Sequence, residues 1–144
     1  MSHAKYSFTF RTRTDFQNNV PRDKNGIYVI HQTGQIEGLY GRTNDIRGRI
    51  LGSYIPPLYV RNRKRGRPIE VMSDRPLRWG QKVHVRFWEF TDNETVIRME
   101  TAIKRHIKRT DMCIRNEEQK QIELYRIADL RRLVRLIDGC LASE

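Results

Sequence analysis

Apolar positions along the chain fall into short runs separated by polar, turn-forming stretches, and the spacing within each run predicts an element. Tyr6, Phe8 and Phe10 alternate with Ser7, Thr9 and Arg11, the period-two pattern of a strand with one packed face. Aromatics beside arginines can also stack on bases, so packing and base contact are both open for this strand. From Asp15 to Asn25 the turn-forming residues, among them Pro21 and Asp23, predict a loop. Ile27 to Ile30 and Ile36 to Tyr40 then flank Thr33-Gly34-Gln35, the composition of a β-hairpin. Gly41 closes the second strand, and Thr43 or Asn44 can cap a helix with Asp45 in its first turn.

Pro56-Pro57 ends that helix, and the chain to Gly80 reads as irregular. Val83 to Phe90 carries bulky groups in both phases, which predicts a central strand covered on each side. Thr91 and Glu94 have the spacing of a capping box for a helix reaching about Arg109, with Val96, Met99, Ile103 and Ile107 as its apolar stripe. From Glu117 to Leu141 the pattern predicts one long amphipathic helix, with Ile122, Tyr125, Leu133, Leu136 and Ile137 on one face, Arg131 and Arg135 on the other, and Gly139 near its end. Its face packs on the sheet or, alternatively, forms a homodimer. Together these elements predict an α+β fold: a small mixed, mainly antiparallel three-stranded sheet flanked by helices, with a long C-terminal helix.

Length and charge narrow the picture. The 144 residues suit a single domain, 1–144, carrying a basic insertion at about 55–80. Lys and Arg number 28 against 17 Asp and Glu, a formal charge of +11. A polyanionic partner is expected, nucleic acid first, although ribosomal and membrane-surface proteins share this balance. Arg61, Arg63, Lys64, Arg65 and Arg67 put five cations in seven residues. Such a block repels itself, and it reads either as a loop that orders on a DNA backbone or as a solvated or localisation-type tract. Cys113 and Cys140 form no CxxC pair, and the four histidines lack ligand spacing, so no zinc site or disulfide framework is expected. No apolar run has signal-peptide or bilayer-spanning length, and a soluble, cytoplasmic protein is expected.

Two features point to chemistry. A strand end, Gly41, a helix start and the pair Arg47 and Arg49 make a plausible phosphate site, or simply a structural hairpin leading into a solvated helix. On the helix after the third strand, Glu100 falls beside the apolar stripe whereas Glu94 points away. A carboxylate leaning toward a core needs compensation, from an arginine or from a metal.

Gly26-Ile27-Tyr28, ten intervening residues and Leu39-Tyr40-Gly41 resemble the paired signature of the GIY-YIG nucleases, and the likeness continues through Arg42 to Ile50. Leu39 stands where that family usually has tyrosine. The resemblance covers about residues 25 to 54 and, less closely, 83 to 109. It implies a compact, stand-alone, metal-dependent DNA endonuclease of restriction or phage type. Glu100 is then the single metal ligand, for Mg2+ with Mn2+ able to substitute. Arg49 neutralises phosphate charge and Arg42 is a second clamp. Tyr28 positions or deprotonates the attacking water, with both arginines favouring its phenolate. Tyr40 lies on the opposite strand face from Leu39 and takes its place only through a bulge before Gly41. Tyr54 is one residue beyond the place of a family histidine or tyrosine, where Ser53 is in register. Asn116, sixteen residues past Glu100, is the nearest counterpart of a family asparagine. The alternative functions are a DNA-binding protein that lost catalysis through Leu39, and a basic structural component of a larger assembly.

Overall fold

A computed structural model describes residues 3–59, 69–70, 75–109, 114–117 and 122–142. In chain order the elements are β1 (His3–Phe10), α1 (Arg13–Asn19), β2 (Gly26–Gln32), β3 (Glu37–Thr43), α2 (Ile46–Arg49) continuing into a π-helical turn (Ile50–Tyr54), β4 (Leu58–Tyr59), β5 (Ile69–Glu70), β6 (Val83–Phe90), α3 (Asn93–Arg109), β7 (Ile114–Glu117), β8 (Ile122–Arg126) and α4 (Ile127–Ala142).

The main sheet has six strands in the order β1-β6-β2-β3-β8-β7, and every pairing is antiparallel. The expected sheet is three-stranded and mixed, mainly antiparallel; those three strands are present as β6-β2-β3, wholly antiparallel, and β1, β7 and β8 extend them. As its two-phase bulk predicted, β6 is interior, between β1 and β2. One face of the sheet buries Tyr28, Ile30, Leu39, Val85 and Phe87 under α1, α2 and the π turn. The other buries Ile27, Val29, Trp88 and Phe90 under α3 and α4.

Helix α4 is held by Leu133, Ile137 and Leu141, all buried on the sheet side, each worth about 1.5–3 kcal/mol of burial. Asp138 adds direction: it accepts from the Trp88 indole at 2.9 Å and pairs with Lys5 at 2.9 Å. That face of α4 is therefore occupied within the chain.

Four further local expectations are corrected. Residues 13–19 are helical, not loop, because Thr12 and Asp15 form a reciprocal capping box there. Helix α3 is capped by Asp92, which takes the amide and hydroxyl of Thr95, rather than by Thr91. The expected C-terminal helix starts ten residues late, at Ile127, and Gly139 lies inside it. Before it, Ile122-Glu123-Leu124 alternates as β8; the short hairpin happened to match a three-and-four spacing. Within the segment expected to be irregular, β4 and β5 pair through Leu58 with Glu70 and Tyr59 with Ile69. Arg61, Arg63, Lys64, Arg65 and Arg67, between those strands in sequence, lie outside the described residues.

Candidate active site

The hairpin carrying the two tyrosine motifs is a regular ladder: Tyr28 faces Gly41, Val29 faces Tyr40, and Ile30 faces Leu39. No bulge precedes Gly41, so the condition on which Tyr40 would take the place of Leu39 is not met. Leu39 is buried in the core on the Tyr28 face, and Tyr40 projects to the other face. Gly41 is required by contact, since a Cβ there would overlap the Tyr28 hydroxyl. Gly26 meets the same constraint, its missing Cβ leaving room for the carbonyl of Trp88.

Both tyrosines nevertheless reach one cleft because the sheet splits. Strand β8 pairs with β3 only at Glu37 and Gly38. Beyond that point the edge of β3 opens into a cleft of about 560 Å³ lined by Tyr28, Tyr40, Arg42, Arg49 and Tyr54, with Arg75 and Glu123 across from them. A continuous sheet would have kept side chains of opposite faces apart.

Tyr54 arrives by a change of helix type. The amide of Ile55 bonds the carbonyl of Ile50, five residues back, so one residue is inserted relative to an α-turn. Tyr54 thus stands one π turn from Arg49 and shares a short hydrogen bond with the Tyr28 hydroxyl. In an α-helix Leu51 would have received the amide of Ile55; its freed carbonyl is taken by Arg75, whose guanidinium also bonds the Ile55 carbonyl, both at 2.9 Å. Leu77 closes the turn by donating to Tyr54 O.

The arginines divide by role. Arg47, half of the expected phosphate pair, turns away and donates to the carbonyls of Val20 and Gln17, tying α2 to α1. Arg49 remains at the cleft beside the two hydroxyls. Arg42, on the α3 side, pairs with Glu100 at 3.5 Å, and Lys104 takes the other Glu100 oxygen at 3.0 Å. Glu100 is placed as its helical phase predicted, half-buried with Val96, Met99 and Ile103 beneath it. The compensation is a salt bridge, as the plainer alternative expected.

Burial pushes the Tyr28 hydroxyl far above the ordinary phenol range; Tyr54 adds to this, and Arg49 pulls it down by less. Tyr40 is also raised, first by burial and then by Glu100 and Glu123, against Arg42. The arginine field does not overcome desolvation, so Tyr28 is a neutral phenol, suited to donate and orient rather than to act as a base.

Glu123 went unnoticed in the sequence because its segment read as helix. It sits on β8 at the cleft, accepting from the Tyr125 hydroxyl at 2.8 Å, while the Tyr125 ring packs edge-on against Tyr40. Asn116 is on β7 opposite Glu123, on a strand rather than on a helix beyond Glu100.

A hard ion of the magnesium class keeps water and takes one or two carboxylates; Glu123 lines the cleft, and Glu100 is joined to it through its pair with Arg42. Among the described residues no three His, Cys, Asp or Glu side chains gather into a cage. Glu100, whose oxygens are held by Arg42 and Lys104, is the carboxylate that would hold such an ion in exchange for those pairs. No helix among the described residues is long and apolar enough to cross a membrane. Comparisons with protein-family models, curated proteins and solved structures returned no match to this chain.

Proposed function

We propose that the chain is a metal-dependent DNA endonuclease of the GIY-YIG kind, cytoplasmic and of restriction or phage type, hydrolysing phosphodiester bonds. The observation that supports this is the convergence of Tyr28, Tyr54, Arg49 and Arg42 on one cleft, achieved through a π turn and a split sheet.

Phosphodiester hydrolysis requires placement of water and phosphate and neutralisation of charge that develops on the phosphate oxygens. Arg49 and Arg42 approach from opposite faces of the sheet and clamp the phosphate between them. The two phenols, held neutral, hold one O–H in their mutual bond and leave one to donate to a phosphate oxygen or the attacking water. Glu100 would hold Mg2+, or Mn2+ in its place, which supplies further charge neutralisation when bound. The basic tract from Arg61 to Arg67 would grip the duplex.

Glu100→Ala is the test: magnesium-dependent nicking of plasmid falls by about 10³-fold while DNA retention persists. Undiminished cleavage removes Glu100 from the chemistry. A second reading, a DNA-binding protein without catalysis, is favoured by Leu39 lying in the core and by Glu100 holding two cations. Incubation with plasmid and branched DNA in Mg2+ or Mn2+ separates the two. Salt-sensitive retention with no cleavage supports the binder.

A further inference from the structure

A second cavity, of about 400 Å³, lies away from the cleft, on the part of the α3/α4 face of the sheet that the helices leave uncovered. Its floor is set by strand register. Thr9 and His31 both face His84, and Ser7 faces Arg86 in the next row. The wall is α4, with Leu130 and Val134 as apolar surface and Arg131 as a cation. The rings of His31 and His84 stack at 6.3 Å and 21°.

The charge of this cavity is one-sided. It is lined by two arginines and two histidines and by no Asp or Glu. Acids on the same face are engaged elsewhere: Asp138 with Lys5 and Trp88, and Asp129 with Arg126 and Arg132. Among the described residues neither Arg86 nor Arg131 has an ion-pair partner, although both come from rigid elements and converge on one half-apolar pocket. Cations held together without an acid favour an anion, and hydroxyls at Ser7 and Thr9 add donors.

We propose that this cavity binds a nucleotide unit, its phosphate held by Arg86 and Arg131 and its base laid against the histidine pair and the apolar wall. The volume suits one nucleotide rather than a duplex, and the site does not depend on cleavage in the cleft. The unit comes either from a free nucleotide or from a single-stranded polynucleotide, which share this chemistry.

Protonation should be linked to binding. Burial lowers the His84 pKa, and Lys82, His31 and Arg86 lower it further. The groups facing it are Ser7 and Thr9 from β1, His31 from β2, the Thr33 hydroxyl at 3.3 Å from its Nε2, Lys82 and Arg86 on its own strand or just before it, and Arg131 from α4; none is acidic. A bound phosphodiester offsets that repulsion, so affinity rises as pH falls through the histidine range.

The test is titration of the full chain, in chelator to prevent cleavage, with thymidine monophosphate, single-stranded tetrathymidylate with unphosphorylated ends, and sulfate. The readouts are the imidazole NMR signals of His31 and His84 and calorimetric affinity. Both ring signals should move, and Arg86→Ala and Arg131→Ala should each weaken binding by about tenfold. Both arginines are exposed, so the thermal midpoint of each variant should match the parent and certify the fold. Equal affinity for monophosphate and tetramer points to a free nucleotide, and tighter tetramer binding points to a polynucleotide. Tetramer affinity should increase severalfold from about pH 8 to about pH 6, where the charge of its diesters is constant. Stationary ring signals at millimolar probe, affinity within twofold in the double variant, a flat pH profile, or sulfate binding as tightly as nucleotide would each overturn the assignment.

Discussion

On the α2 wall of the cleft, Tyr28 and Tyr54 are 2% and 8% exposed and bonded to each other; on the α3 wall, Arg42 lines the cleft and leads into an ion-paired row with Glu100 and Lys104 that water reaches. The first wall is held by packing and is indifferent to salt. The second is held by charges that solvent screens and a phosphate or cation can exchange. Packing therefore fixes the geometry of the hydroxyls, whereas the ion pairs are free to exchange partners.

The largest effect is expected where the buried wall meets the charge to be stabilised. Arg49→Ala should lower the cleavage rate by about 10²–10³-fold, with much less loss of DNA binding. Single-turnover nicking beside filter retention measures both. Equal loss of the two would make Arg49 a binding residue only and erase the distinction between the walls.

The next prediction concerns alkali. Burial raises the hydroxyls of Tyr28, Tyr40, Tyr54 and Tyr125 above the ordinary value of 10.0. Above about pH 10 the unfolded chain releases these protons and the folded chain retains them, so the folded state binds more protons and stability falls as pH rises. Below that pH their contribution is fully present. Each such tyrosine adds up to about 1.4 kcal/mol of lost stability per pH unit. Denaturant melts from neutral to strongly alkaline pH, with tyrosinate absorbance as a parallel readout, check this. Free titration of every tyrosine in the folded protein near the ordinary value contradicts a buried wall.

How much of this arrangement the sequence carries depends on the range of the forces involved. The inward lean of Glu100 was legible because its phase relative to Val96, Met99 and Ile103 is a local property of one helix. The opposite faces of Leu39 and Tyr40 were legible for the same reason, strand alternation. That Tyr40 still reaches the cleft was not, because it depends on where β8 leaves β3, some eighty residues away in sequence. The π turn was hidden likewise: the freed Leu51 carbonyl is satisfied by Arg75, beyond the basic tract. Arg47 shows the converse error. Its spacing matched Arg49, but the carbonyls at the end of α1 claimed it.

A smaller effect tests the coupling within the buried wall. Tyr28→Phe or Tyr54→Phe leaves one buried hydroxyl without its partner, at about 1–3 kcal/mol each. The double substitution removes both polar groups and should cost clearly less than the sum of the singles. Urea unfolding of the four proteins gives the coupling. Strict additivity would mean that the two hydroxyls do not act as a pair.

The smallest effect belongs to the exposed wall, and its sign is the informative part. Lys104 is 70% exposed and holds one oxygen of Glu100 across a single helical turn, a pair worth only about 0.3–0.5 kcal/mol. Lys104→Met should therefore barely change the melting temperature while keeping the aliphatic length. It also releases one carboxylate oxygen and removes a cation beside the place proposed for the dication. The concentration of Mg2+ giving half-maximal cleavage should then fall severalfold, and less so at high salt, where the lysine is already screened. An unchanged or raised magnesium requirement would mean that Lys104 does not compete with the metal, and that the exposed wall serves as structure after all.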